Sequence, residues 1–200
     1  MIKKIIFVLG FAMISQLMVA CIDCNCPDPQ SIYFTNNGLA LKNMDRSLPS
    51  PMLSSAGTIA AANYGIHIQV LNEQLTAQNR RVKWGLMQAA YACSCDGNYF
   101  ISKESISAIQ IFSNSDFDSS HPKGTDLSLY FKVNHFSGMI SVTEYIKALK
   151  DLNYRNDPSI FTYIFLQNAP GVNKKHKFRI VFSLSDGRSL VAETTEVELA

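Results

Sequence analysis

The 200-residue chain has almost no excess of charge, with 18 basic against 16 acidic residues, and charged residues make up only 17% of it. A basic stripe able to displace counterions from a nucleic acid, or to hold an anionic membrane surface by electrostatics, is therefore missing. Nowhere does the chain contain a G-x-S-x-G elbow, an H-E-x-x-H pair or a P-loop. Three familiar devices, for an activated serine, a zinc-bound water and a cradled phosphate, leave no local mark. Histidine is sparse at four residues, tryptophan occurs once, as Trp84, and no internal repeat breaks the chain into equivalent units. No cofactor and no nucleic-acid partner are expected.

What is present is concentrated first at the N-terminus. Lys3 and Lys4 precede the uncharged apolar segment Ile5 to Ala20, which closes on Met18-Val19-Ala20-Cys21. This is the order of a secretory signal peptide, and the apolar segment is too short to favour spanning. Small Val19 and Ala20 directly before a cysteine resemble the lipobox of bacterial lipoproteins. The resemblance implies a signal peptide over residues 1–20, cleavage before Cys21, and acyl chains such as palmitate on its sulfur and amine. Each buried methylene contributes about 0.8 kcal/mol and stable anchoring takes more than one chain, so a doubly or triply acylated cysteine is a lasting tether. The bland alternative is an uncleaved signal anchor with Cys21 an ordinary exported cysteine. Loss of Lys3 and Lys4 with the signal leaves 16 basic residues against 16 acidic ones.

Of five cysteines, acylation takes Cys21 and leaves Cys24, Cys26, Cys93 and Cys95 in a compartment where disulfides persist. In an extended chain, residues i and i+2 lie about 6.5–7 Å apart on one face, at the limit of disulfide geometry. Bridging within either C-x-C pair is disfavoured. Two bonds between the pairs fit the matched spacing: antiparallel neighbours give Cys24 to Cys95 with Cys26 to Cys93, and a parallel arrangement reverses the pairing. The alternative is a four-thiolate metal site, although C-x-C is tighter than the usual zinc knuckle.

The rest of the chain reads mainly as strand. Ile32 to Phe34 is a short strand ended by Thr35-Asn36-Asn37-Gly38, where Asn37-Gly38 predicts a two-residue hairpin turn with Leu39 to Leu41 returning. Asn43 to Asn63 reads as loop or irregular crossover. Tyr64, Ile66, Ile68 and Val70 alternate with smaller or polar residues, the period of a strand with one buried face. The apolar run Leu86 to Cys95 favours a buried strand, Ser105 to Ser113 another, and Leu127, Leu129, Phe131 and Val133 a third. Ser141 to Asp151 is the helix, with Val142, Tyr145, Ile146 and Leu149 on one face and a Ser141/Glu144 capping box. Ile160 to Leu166 is an apolar strand, and Phe178, Ile180, Phe182 and Leu184 form a hairpin through Asp186-Gly187 with Leu190 to Leu199. About seven or eight strands with turn signals between them predict an antiparallel immunoglobulin-like β-sandwich with one short helix in a connection. Residues 21–30 are then a lipidated anchor segment and residues 31–200 a single sandwich domain.

Ala90-Tyr91-Ala92-Cys93-Ser94-Cys95, Ile106 to Asp118 and Gly124-Thr125-Asp126-Leu127 resemble a family of uncharacterised Bacteroidetes lipoproteins, a domain of unknown function. The resemblance covers most of the mature chain and offers no activity or catalytic residue. It implies a place in the cell envelope, usually the outer membrane, and Ile rather than Asp at position 22 agrees with outer-membrane sorting.

Among constellations that carry chemistry, Asp116-x-Asp118-x-Ser120 with Asp126 has the oxygen spacing of a calcium loop. His121 and Leu127 stand where an EF-hand needs Gly and Glu, so only a looser site remains against the plain reading of a solvated turn. His67 is expected on the solvent face of a strand, and His121, His135 and His176 in exposed loops. Lys174-Lys175-His176-Lys177 is a basic cluster suited to guarding a sheet edge, with a glycan or anionic partner as the sharper reading. Trp84, Tyr91, Tyr99 and Phe100 are core aromatics or a platform for carbohydrate. The expected function is a non-catalytic binding or structural module held to the membrane by its N-terminal lipid, its protein or glycan partner unspecified. The rivals are a lipid-anchored glycan or peptide hydrolase and an adhesin or pilus-type subunit.

Overall fold

The computed structural model describes residues 28–48, 51–75, 97–150, 154–155 and 157–200. All five cysteines, Trp84, Tyr91 and the strand expected over Leu86 to Cys95 lie outside the described residues. The described chain is mainly β, with antiparallel sheets packed together as a sandwich and one short helix.

The spine is β1 (Ser31–Asp45), 15 residues long, and it departs from the sequence reading. Asn37-Gly38 makes no hairpin. β1 runs on with a bulge between Asn36 and Gly38, and Leu39 and Leu41 pair with Val70 and Ile68 of β4 (Tyr64–Gln74). A type I′ turn needs positive φ at both central residues, and the positive-φ glycines among the described residues are Gly124, Gly138 and Gly187 instead. The long antiparallel ladder to β4 satisfies more backbone than a tight turn could, so tertiary pairing overrides the local signal. The segment expected as loop likewise holds the end of β1, the short strands β2 (Met52–Leu53) and β3 (Thr58–Ile59), and a 3₁₀ turn at Ala61–Asn63.

Around β1 and β4 the large sheet has the order β8-β7-β10-β4-β1-β5-β9, with β2 attached to β1. Its other members are β5 (Tyr99–Ser102), β7 (Phe131–His135), β8 (Gly138–Ser141), β9 (Tyr154–Arg155) and β10 (Ile160–Leu166). A second sheet, β13-β12-β6, is built from β6 (Ile106–Ser113), β12 (Phe178–Leu184) and β13 (Ser189–Glu193). The third is small, β11-β14-β3, with β11 (Lys175–His176) and β14 (Val197–Leu199). Two pairings, β1 with β5 and β14 with β3, are parallel.

The core lies between the two larger sheets. Tyr64, Ile66, Ile68 and Val70 from β4 face Ile109 and Ile111 of β6 and Phe178, Ile180 and Phe182 of β12 in one buried cluster. Rings meet across the gap, Tyr64 stacked on Phe178 at 5.4 Å and Phe131 edge-on to Phe178 at 5.5 Å. The period-two alternation of β12 is what makes this face apolar, and the hairpin turn at Gly187 takes φ 88° as Asp186-Gly187 predicts. On the outer side, Gly65 lets Phe165 lie flat against the sheet, since a Cβ there would stand 2.6 Å from Phe165 Cδ1 and 2.9 Å from the Ile164 carbonyl oxygen. The Arg46 guanidinium covers that ring at 5.2 Å.

The helix α1 (Val142–Lys150) follows the sequence reading closely. Ser141 Oγ accepts from the Glu144 N–H at 3.2 Å while Glu144 Oε2 accepts from the Ser141 N–H at 2.8 Å, the reciprocal capping box. Val142, Tyr145 and Leu149 are buried against the sandwich, with Ile146 half-buried beside them. The strand expected from Leu127 starts only at Phe131. Ser128–Tyr130 is a 3₁₀ turn that swings Leu129 out to 89% exposure while Leu127 stays buried. The C-terminal return is likewise split at Thr194, β13 pairing with β12 and β14 with β11.

Candidate functional site

The bulge in β1 creates a problem that two distant side chains solve. An extra residue on one strand leaves backbone groups without ladder partners, and buried ones must find others. Asn36, 1% exposed, gives its N–H to the carboxylate of Glu104 and its carbonyl accepts from Arg188 Nη1 at 3.1 Å. Glu104 follows β5 and is itself 4% exposed. Its carboxylate also accepts from Thr35 Oγ1 at 3.1 Å and pairs with Arg188 Nη2 at 3.2 Å. Arg188, just past the β12–β13 turn, is aimed by Asp186: Nε donates to Asp186 Oδ2 at 2.7 Å and the Arg188 N–H to Oδ1 at 3.0 Å. That carboxylate's pKa is held below the usual range by the hydrogen bond and charge of Arg188. A further bond runs from Arg188 Nη2 to Thr35 Oγ1 at 2.9 Å. One sheet's hairpin is thus clamped onto the other sheet's bulge.

The side-chain amide of Asn36 is oriented by the same neighbourhood. The Ser102 hydroxyl has one proton, which it donates to the Glu104 carbonyl at 2.6 Å. Its oxygen must therefore accept from Asn36 Nδ2, 3.2 Å away. That leaves Asn36 Oδ1 as a buried acceptor with no partner among the described residues. Such an atom costs about 1–3 kcal/mol when nothing donates to it.

Two cavities flank this cluster. The larger, of about 440 Å³, is walled by Asn36, Ser102 and Glu104 on its polar side and by Phe100, Leu149 and Ile160 on its apolar side, with exposed Lys103 and Lys150 at its rim. The smaller, of about 400 Å³, lies across Glu104 and is bounded by Thr35, Leu75, Asp186 and Arg188. A volume of this size falls in the range of about 300–1,000 Å³ typical of small-molecule sites.

A family model for a domain of unknown function (DUF5034) matches residues 36–196. The chain belongs to the DUF5034 family. The span matched by the DUF5034 model contains Asn36, Glu104, Asp186 and Arg188, so the clamp lies almost wholly within it, Thr35 standing one position outside. No curated protein matches the chain, and no solved structure does.

The residues singled out in this DUF5034 chain by sequence are scattered by the fold. Asp116 Oδ1 accepts from the Lys123 N–H at 2.8 Å, and Asp126 Oδ1 from the Ser128 N–H at 2.9 Å. Asp118 Oδ1 accepts from the N–H groups of Ser120 and His121 at 2.8 and 2.9 Å and pairs with His121 Nδ1 at 2.8 Å, which holds its pKa low. Ser120 contributes a backbone N–H to that turn. These are turn bonds, and no cluster of three or more His, Cys, Asp or Glu suited to a metal occurs among the described residues. Phe100 packs with Ile32 and Phe34 in a satellite cluster, whereas Tyr99 is exposed on the same strand. Lys175 lies on β11, the edge of the small sheet, and Lys177 pairs with Glu193 at 2.5 Å.

His67 sits on the outer face of the large sheet as expected, between the rings of Phe161 and Tyr163 at 5.8 and 5.2 Å. His176 corrects the reading of an exposed loop, being 0% exposed between Phe117 and Phe178. Its Nε2–H donates to the Asn173 carbonyl at 2.8 Å, so Nδ1 is the acceptor for the Ser113 hydroxyl, also at 2.8 Å. Apolar Phe178 and Val197 flanking it in β12 and β14 were the available signal.

Burial depresses the pKa of His176 below 6.5, and burial followed by the charge of Lys42 depresses that of His67. Well above pH 6.5 both are neutral, folded or unfolded. As pH falls, the unfolded chain takes up protons first, so stability is lost from pH 6.5 downward through the depressed folded-state values. The melting temperature should therefore fall on mild acidification, and His176→Gln should flatten that slope. A slope identical to the parent's would show that His176 is not buried neutral.

Proposed function

We propose that the chain is an exported lipoprotein tethered to the cell envelope, at the outer membrane, by acyl chains on Cys21, and that its β-sandwich binds a ligand or partner without transforming it. The observation that carries the binding reading is the cavity beside the bulge. The charges around it are saturated, buried Glu104 by Thr35, Asn36 and Arg188, and half-exposed Arg188 by Asp186, Thr35 and Asn36. Groups so fully committed serve to hold a shape, whereas a general acid or base needs a partner it can exchange protons with.

The tether reading draws support from where β1 begins. Ser31 is ten positions after Cys21, which an extended chain spans in at most about 35 Å. The Gln30 N–H donates to Asn98 Oδ1 at 3.1 Å and the Tyr99 N–H to the Gln30 carbonyl at 2.9 Å. Gln30 and Asn98, which follow the two C-x-C pairs in the sequence, thus meet at one corner, where β1 and β5 run parallel with Ser31 opposite Tyr99. The parallel direction of these two strands is the one that pairs Cys24 with Cys93 and Cys26 with Cys95, and bridges so placed would hold the sandwich close to the bilayer.

One measurement tests tether and bridges together: peptide mapping, without reduction, of protein extracted from its own membrane fraction. An acylated peptide beginning at Cys21 and cross-linked to the peptide of Cys93 and Cys95 is expected. An unacylated or uncleaved N-terminus would remove the tether, and four free thiols or stoichiometric zinc would remove the bridges.

A further inference from the structure

We infer that His176 is an acid-sensitive latch, whose protonation releases the connection formed by residues 167–177 from the sandwich while the two larger sheets stay folded. Between Leu166, where β10 ends, and Phe178, where β12 begins, His176 is the one buried residue. The others are exposed or half-buried, and β11 adds only two residues of pairing, Lys175 with Glu198 and His176 with Val197. A segment pinned by so little buried surface opens at a smaller cost than the core of the same domain. Its pin is a group that takes up a proton under mild acid.

Both ring nitrogens are committed to uncharged partners. Nδ1 accepts from the Ser113 hydroxyl of β6, and Nε2–H donates to the Asn173 carbonyl within the connection, each at 2.8 Å. Phe117 and Phe178 lie against the ring at 5.5 and 5.6 Å. The charged side chains on the surrounding elements are engaged elsewhere. Asp116 accepts from the Lys123 N–H, Asp118 holds His121 and Tyr130, Arg179 lies over Phe112, and Glu198 stands opposite Lys175. An imidazolium formed in place is therefore a buried charge without a counter-charge. Its Nδ1–H takes the acceptor from the Ser113 hydroxyl, and Lys174, Lys175 and Lys177 add like charge alongside.

In the released connection the ring meets water and titrates near its ordinary 6.5. Protons then bind the open form first as pH falls, and the open fraction rises by up to about tenfold per pH unit until the depressed pKa of the closed form is reached. Release also takes β11 off β14, which becomes the edge of the small sheet with its ladder groups open to another strand.

Amide hydrogen exchange of the detergent-solubilised full chain, corrected for the intrinsic pH dependence of exchange, reads this opening between about pH 7.5 and about pH 5.5. The reporters are the N–H groups that close the connection, Gly171 on the Phe117 carbonyl, Lys177 on Asn114 Oδ1 and Leu199 on the Lys174 carbonyl. Their protection should lie well below that of the ladder between β1 and β4, and should fall by up to about tenfold per pH unit on acidification. In His176→Gln, which takes up no proton, that fall should be absent. Equal protection of reporters and ladder at acid pH would show that only the whole domain opens, and would overturn the latch. An equal pH slope in parent and variant would overturn it too. So would protection independent of pH in the parent, a result that decides the matter even where His176→Gln fails to fold.

Discussion

Glu104→Ala is expected to lower the stability of the domain by about 2–4 kcal/mol, a fall in melting temperature on the order of 10 °C for a chain of this size. The substitution strips the acceptor from the buried Asn36 N–H and removes a partner from Thr35 and from Arg188. Chemical denaturation of the purified variant measures it. The loss should exceed that of an exposed carboxylate of similar chemistry, such as Glu193, whose partner Lys177 is itself in solvent. A variant as stable as the parent would mean that the bulge finds other partners, and that the cavity's polar wall does not depend on Glu104.

Gly65→Ala is the second large effect. Alanine ordinarily stabilises a strand glycine whose φ it can share, by about 0.4–1 kcal/mol through the unfolded chain. Here the added methyl would meet Phe165 Cδ1 at 2.6 Å and the Ile164 carbonyl oxygen at 2.9 Å. Neither can yield cheaply, because Phe165 is buried under Arg46 and Ile164 O belongs to the β10–β4 ladder. Overpacking of this kind costs about 2–3 kcal/mol. Gly57→Ala is the control, since nothing lies within 4 Å of a Cβ there. Its melting temperature should match or slightly exceed the parent's, and equal behaviour of the two variants would show that the outer face is looser than described.

Much of this architecture is legible in the sequence because it rests on local periodicity. The β12 alternation, the Asp186-Gly187 turn, the β10 run and the capped helix α1 all appear where pattern and turn chemistry place them. What local pattern misleads about is the Asn37-Gly38 dipeptide, an equally good signal for a turn and for a bulge, and only the long partner β4 decides between them. Leu129 fails for a similar reason: its alternation with Leu127 and Phe131 is broken by a 3₁₀ turn that no residue type marks.

The candidate site is less legible still. Asn36 and Arg188 are 152 positions apart, and Thr35 and Glu104 are 69 apart. Nothing in a charged residue's immediate neighbours states that it will be desolvated by strands elsewhere. The available hints were weak, a glutamate two positions before the Ile106 strand and an Asp186-x-Arg188 spacing around a turn. His176 shows the opposite failure, a buried group hidden in a run of lysines because β11 is only two residues long and its neighbours point to solvent.

Glu104 and Arg188 act as one unit to hold the β1 bulge, and with it the wall of the cavity. The direct test is to compare Arg188→Ala with the double variant Glu104→Gln/Arg188→Ala by urea denaturation. Arg188→Ala alone leaves a buried carboxylate without its counter-charge, and removing one member of such a pair is the expensive step. Glutamine takes away the charge while keeping an acceptor for the Asn36 N–H. The double variant is therefore predicted to unfold at a higher urea midpoint than Arg188→Ala, with an unchanged slope. A midpoint lowered further by the second substitution, as for two independent surface residues, would contradict the claim.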